Sequence, residues 1–210
     1  MIHEVIPVGV FEQNCAVCAD KESGEAFLID PGDEAGVILS AIDKLGVKIK
    51  AILITHAHLD HVGALAECKE ALGVEAWMHP GEQELYEMVD RQAALYGLPP
   101  IRKTKIEREL AEGMKLTIGK YEFQALETPG HSPASVSFYV PAAECVIAGD
   151  TLFRRSIGRT DLPGGNHDRL LKSIRTKLLT LPPQTAVYPG HGPETTIQEE
   201  AKYNPFLAGR

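Results

Sequence analysis

A chain of 210 residues with 44% hydrophobic side chains can build one substantial core, so a single domain spanning 1–210 is expected. A formal charge of -8 with no cluster of Lys and Arg excludes a polyanion binder, because nucleic acid requires basic side chains to neutralise phosphates. No apolar run reaches the roughly 20 residues of a spanning helix, and the start Met1-Ile2-His3-Glu4 lacks the basic and apolar regions of a leader; a cytoplasmic protein with neither nucleic-acid nor membrane partners is expected.

In chain order, β-rich runs cover 2–8, 14–19 and 26–30, punctuated by turn formers such as Ser23-Gly24. Apolar positions at Val37, Ile38, Ala41, Ile42 and Leu45 predict a helix over 33–45 with Gly46 as its stop, and 51–54 is a short apolar strand. Helices are expected over 61–72, closed by Gly73, and over 81–96, followed by Gly97 and Pro99-Pro100. The second half repeats the rhythm: strands near 115–118, 121–128, 134–140 and 145–148, a helix near 167–179, a last strand over 185–188 and a short terminal helix. Two halves of this kind suit a four-layered αββα sandwich, with two sheets face to face and helices outside. The long irregular stretch 154–166 is rich in Arg and Gly, and long loops in compact domains are often functional.

Cys15 and Cys18 spell C-x-x-C, but residues three apart on a strand point to opposite faces and can neither bridge nor share a metal easily. With Cys68 and Cys145 they read as reduced core side chains.

The run Thr55-His56-Ala57-His58-Leu59-Asp60-His61 sits directly after an apolar strand and directly before a helix. Grouping imidazoles and a carboxylate there is unfavourable for packing alone, whereas one divalent cation satisfies them all. Three more candidates lie in turns after strands: His131 in Pro129-Gly130-His131, Asp150 in Gly149-Asp150-Thr151 and His191 in Pro189-Gly190-His191. Strand ends from distant parts of a layered α/β chain converge on one face, so these residues can meet. The isolated His3, His79 and His167 read as ordinary polar side chains.

This ordered set resembles the metallo-β-lactamase superfamily over essentially the whole chain. The resemblance implies the metallo-β-lactamase fold, a first metal held by His56, His58 and His131, a second held by Asp60, His61 and His191, and Asp150 bridging them. Two divalent ions about 3.5 to 4 Å apart can lower the pKa of a shared water from about 15.7 toward 7. Donors without thiolate suit zinc, the metal expected here, and also iron and manganese.

Aspartate at position 150 disfavours a β-lactamase of the common kind, where cysteine is expected. Gly149-Asp150-Thr151-Leu152-Phe153, the segment Ile157-Gly158-Arg159-Thr160-Asp161-Leu162-Pro163 and the ending Tyr203-Asn204-Pro205-Phe206-Leu207 are similar to the glyoxalase II group, hydroxyacylglutathione hydrolases, of the short bacterial type without a C-terminal helical domain. That likeness implies a small-molecule thioester substrate such as S-lactoylglutathione, attacked by a metal-bridging hydroxide that Asp60 helps to orient. Arg159 matches a basic position that binds the thiol's carboxylate in longer relatives, while Asp161 stands where they have tyrosine; Arg154 and Arg155 read as a solvated basic loop. The alternatives are a mononuclear iron persulfide dioxygenase using His56, His131 and Asp150, a lactonase-like hydrolase, and a non-enzymatic interaction module; the last usually loses ligands, and all seven are present. The oligomeric state is not legible.

Overall fold

The computed structural model describes residues 1–207, which fall into two compact units: Met1–Leu110 with Thr117–Tyr121, and Ala111–Leu116 with Glu122 onward.

The first unit opens with a hairpin. β1 (Ile2–Val8) pairs antiparallel with β2 (Gln13–Ala19), Ile6 facing Cys15 and Val8 facing Gln13. Toward the end of β1, Ile6 and Val8 point inward while Val5 and Pro7 are exposed, the period-two pattern of an edge strand with one wet face. β3 (Glu25–Ile29) is antiparallel to β2; β4 (Lys48–Leu53), β5 (Glu75–Met78) and β6 (Arg108–Glu109) then continue the sheet in parallel. Parallel neighbours need crossovers, and α1 (Ala35–Leu45) supplies the first, burying Ile38 and Ile42 and ending at left-handed Gly46, whose φ is 64°. It starts later than the periodicity predicts because Glu34 is itself left-handed, at φ 49°.

The helix expected over 61–72 is broken into α2 (Leu59–Val62) and α3 (Leu65–Leu72). The cause is tertiary: a Cβ on Gly63 would lie 2.2 Å from the carbonyl oxygen of Gly32, and the Ala64 N–H donates to Pro31 O at 3.0 Å instead of to its own helix. The expected 81–96 helix likewise becomes a 3₁₀ turn (Pro80–Glu82), α4 (Gln83–Glu87) and α5 (Val89–Leu95), interrupted at Met88. Leu28, Ile38, Ile52, Ile54, Leu65 and Met78 are almost fully buried in the core beneath these helices, each contributing about 1.5–3 kcal/mol of transfer free energy.

In the second unit's sheet, β7 (Lys115–Ile118), β8 (Tyr121–Glu127), β9 (Val136–Val140) and β10 (Cys145–Gly149) follow one another, and the tip of the β7–β8 hairpin is counted with the first unit. A short hairpin, β11 (Leu152–Phe153) and β12 (Ser156–Ile157), precedes α6 (His167–Ser173), which runs on through a wider π turn to Leu178. The chain returns as β13 (Ala186–Pro189), parallel to β10, and finishes with β14 (Thr195–Thr196) and α7 (Ile197–Tyr203). Val146, Leu170, Ile174, Leu178 and Val187 form its core. Fully buried Glu200 of α7 accepts from Thr195 Oγ1 (2.6 Å), the Arg155 N–H (2.8 Å) and Asn204 Nδ2 (2.8 Å), tying the closing segment to the β11–β12 hairpin.

All four cysteines are unbridged and buried, and burial pushes the Cys68 and Cys145 thiols up to about 12, as inert core side chains require. No helix among the described residues is long and apolar enough to cross a membrane.

Candidate metal centre

The first cluster grows from the C-terminal ends of two parallel neighbours. Ile29 of β3 is in register with Leu53 of β4, so Asp30 and Thr55 emerge side by side. The Asp30 carboxylate accepts the Thr55 N–H at 2.7 Å, the Thr55 hydroxyl at 2.6 Å and His61 Nδ1 at 2.9 Å. Because the Thr55 proton goes to Asp30, Thr55 Oγ1 is the acceptor for His56 Nδ1, 3.0 Å away. Both imidazoles are thereby assigned the tautomer that protonates Nδ1 and leaves the Nε2 lone pair for a metal, the outer support that ligating histidines usually have. His56 and His61 are fully buried, their ring centroids 4.0 Å apart; His58 is edge-on to His56 at 4.8 Å. Asp60 Oδ2 lies 3.8 Å from His61 Nε2.

The loop carrying these candidate ligands is clamped from outside. Its central peptide, Ala57, donates N–H to the fully buried Glu82 at 2.9 Å and accepts from Gln92 Nε2 at 3.2 Å, while Gln92 Oε1 takes the Leu59 N–H at 3.0 Å. Side chains from the 3₁₀ turn and α5 thus fix the backbone that connects His56 to His58.

The second cluster is assembled from three distant segments. β10 and β13 are parallel neighbours, so Asp150 and His191, which follow their C-terminal ends, come together: His191 Nε2 is 3.7 Å from Asp150 Oδ2. β9 runs antiparallel to β10, which brings the β8–β9 turn to the same sheet end and His131 Nε2 to 3.5 Å from Asp150 Oδ2. Beneath them a chain of hydroxyls holds the turns: Thr151 Oγ1 donates to Thr128 Oγ1 (3.0 Å), which bonds Ser137 Oγ (2.9 Å). His131 Nδ1 donates to the backbone carbonyl of Arg159 at 2.8 Å, again making Nε2 the candidate ligand nitrogen. This contact depends on Gly158, where a Cβ would fall 2.0 Å from Asp150 O.

Arg159 therefore serves the cluster through its main chain. Its exposed guanidinium forks onto Asp161 at 2.8 and 2.7 Å and pulls that carboxyl down to about 2. Arg155, read from the sequence as part of a solvated basic loop, pairs with Glu199 at 2.9 Å and stacks on Tyr203. Among the isolated histidines, His79 caps the 3₁₀ turn by accepting the Gly81 N–H at 3.0 Å, and burial lowers His3 to about 4.

Sequence reasoning passed over Asp30, Thr55, Glu82 and Gln92. Asp30 carries the same signal as the ligands, a carboxylate closing an apolar strand before Pro31-Gly32; Glu82 and Gln92 carry none, since only packing makes them neighbours of residue 57. In each cluster the donors are imidazole and carboxylate with no thiolate, and Asp30 stands behind His61 as a hydrogen-bond acceptor. Such donors fit a divalent cation.

The strand-end His and Asp clusters define the class. The Metallo-beta-lactamase superfamily model matches residues 8–191, and the chain belongs to that superfamily. It is 41% identical over 206 residues to Hydroxyacylglutathione hydrolase GloC of Haemophilus influenzae, covering 97% of each chain. Among solved structures it resembles TTHA1623 in a di-iron-bound form (TM-score 0.89, 44% identity, 97% of this chain and 100% of that one). It also resembles the BLEG-1 B3 metallo-beta-lactamase (TM-score 0.91, 37% identity, 99% of this chain and 100% of that one). The expected fold is the one found: two sheets with helices, of the metallo-β-lactamase kind.

Proposed function

We propose that this metallohydrolase cleaves thioesters of small hydroxy acids, such as S-lactoylglutathione, using two divalent metal ions. In this reading His56, His58 and His131 hold one ion, Asp60, His61 and His191 hold the other, and Asp150 is shared. The observation that supports the metal assignment is the anchoring of Nδ1 on His56, His61 and His131, which makes Nε2 the donor atom of each in this reading. The relative named hydroxyacylglutathione hydrolase supports the thioester. Zinc is the expected metal for these donors, with iron the first alternative given the di-iron form of a similar protein.

When bound, the ions supply an acidified water and a Lewis acid for the thioester carbonyl. Asp60 accepts a hydrogen bond from the attacking water and orients it. The C–O bond forms, the C–S bond breaks, the electron pair departs on sulfur and the proton lost by the water passes to solvent. With a thiol pKa of about 8.5, the leaving thiolate needs no acid from the chain.

The test is metal analysis of protein purified without added metal and after zinc reconstitution, beside hydrolysis of S-lactoylglutathione. Two ions per chain and thioester turnover are expected. A single iron with oxygen consumption on a persulfide overturns the reading in favour of a dioxygenase. The likeness to the BLEG-1 β-lactamase adds an arm with a chromogenic β-lactam, on which turnover should be far slower than on the thioester.

A further inference from the structure

Two loops of the first unit carry apolar side chains into solvent side by side. The β1–β2 turn presents Val10, 74% exposed, and Phe11; the end of α5 and the residue after it present Leu95, 84% exposed, and Tyr96, 48% exposed. They meet where the Phe11 and Tyr96 rings pack edge to face, centroids 5.2 Å apart. A cleft of about 230 Å³ opens beside them, lined by Phe11, Leu59, Leu98, Pro99 and Ile101 and also by the candidate ligand Asp60. Scattered exposed apolar residues are ordinary, but a contiguous set rimming a concave apolar cleft marks a ligand site.

We propose that this cleft is an acyl pocket: it takes the neutral, apolar side chain of the acyl group in a thioester bound at the metal centre. The inference rests on the thioesterase reading above and names its substrate class. Asp60 supplies the continuity, since it lines the cleft and belongs to the ligand set. The volume lies below the roughly 300–1,000 Å³ of drug-sized sites, so the cleft fits a short alkyl chain or one ring and is too small for a peptide-like thiol. Charge selects in the same direction: Asp33, Asp60 and Glu67 line it, and Arg102, the cation of the lining, is engaged by Glu67 at 3.3 Å and Glu70 at 2.8 Å. An acyl chain bearing a carboxylate is repelled. The wall is preformed, because the Leu98 N–H donates to Ala93 O and the Ile101 N–H to Asp90 Oδ1, both at 3.0 Å.

The experiment pairs two series on the metal-loaded protein. Free 2-hydroxypropanoate, 2-hydroxybutanoate and 2-hydroxyhexanoate are titrated by calorimetry, and kcat/KM is measured for their N-acetylcysteamine thioesters. Affinity and kcat/KM should rise about three- to fourfold per methylene. Leu98→Trp, which fills the cleft, should shrink the hexanoyl-to-propanoyl ratio at least tenfold; Phe11→Ala, which removes a wall, should lower the same ratio and provides the test if Leu98→Trp does not fold. Flat series, or a gradient that survives both variants, overturns the pocket. Thioesters hydrolysed with flat series leave the thioesterase reading standing and remove the pocket; an acid gradient without thioester turnover does the reverse. A concentration-dependent dimer split by Leu95→Lys, with flat series, assigns the apolar rim to a second copy of this chain and also overturns the proposal.

Discussion

The two candidate ligand clusters reach similar donor sets by opposite routes. In the first unit four candidates come from six consecutive positions, and their support is anionic and deep: Asp30 behind His56 and His61, Glu82 behind Ala57. In the second unit His131, Asp150 and His191 come from three strand ends, and their support is neutral, a backbone carbonyl behind His131 and a line of hydroxyls beneath the turns. His191 is also the most open of the candidate imidazoles, its side chain 28% exposed against 0% for His61 and 3% for His131. A contiguous cluster needs an outer frame to hold a floppy loop, whereas a cluster built on paired strands inherits its frame from the sheet.

The comparison can be broken or sharpened by substitution, beginning with the largest effect. Asp150→Ala should reduce thioester turnover by at least about 10³-fold, since it removes the carboxylate proposed to be shared; plasma emission analysis should then find fewer than two ions per chain. Full metal content in that variant removes Asp150 from the ligand set. Asp60→Asn should cost about 10²-fold in kcat with little change in KM, because an amide neither holds the second ion nor orients water as the carboxylate does. A raised KM with unchanged kcat would contradict that role, as it reports lost uniform binding.

Next comes the outer frame. Asp30→Asn replaces one acceptor oxygen by an N–H donor in a site that receives three donors, and should weaken metal binding about 10- to 100-fold, measured against a chromophoric chelator. Thr151→Val, the matching change in the second unit, removes one neutral hydroxyl bond and should cost only about 1 kcal/mol in urea unfolding. If Thr151→Val weakens metal binding as much as Asp30→Asn, the contrast between anionic and neutral support fails. Gln92→Ala strips partners from both Ala57 O and Leu59 N and should cost roughly 1–3 kcal/mol in urea unfolding.

The smallest effect belongs to the exposed Arg159–Asp161 pair. Asp161→Asn frees the guanidinium for a substrate carboxylate and should improve the preference for S-lactoylglutathione over a neutral-thiol thioester by no more than about fivefold, the scale of an exposed ion pair. A gain of a hundredfold would reveal that Asp161 had been closing a strong thiol site.

The sequence by itself determined what local rules govern: the long strands, α1 with its glycine stop, the buried reduced cysteines and the ligand candidates, because periodicity, left-handed glycine and the cost of clustered imidazoles act within a few residues. It also carried the superfamily, since the order of those ligands along the chain survives without coordinates. Tertiary structure decided the rest. The helix expected over 61–72 breaks because Gly63 must pass against Gly32, a constraint that is not local to the periodic pattern, and the one expected over 81–96 divides at Met88. β6, β11, β12 and β14 are two residues long, too brief for alternation to show. The outer frame was equally hidden: Glu82 and Gln92 meet the loop that carries His56 and His58 only after α5 folds back onto it, and the carbonyl of Arg159, a residue singled out for its charge, also accepts from His131. A residue's type can be read in advance where its own chemistry is used, but where its backbone or its packing is used the same letters carry no mark until the chain has folded.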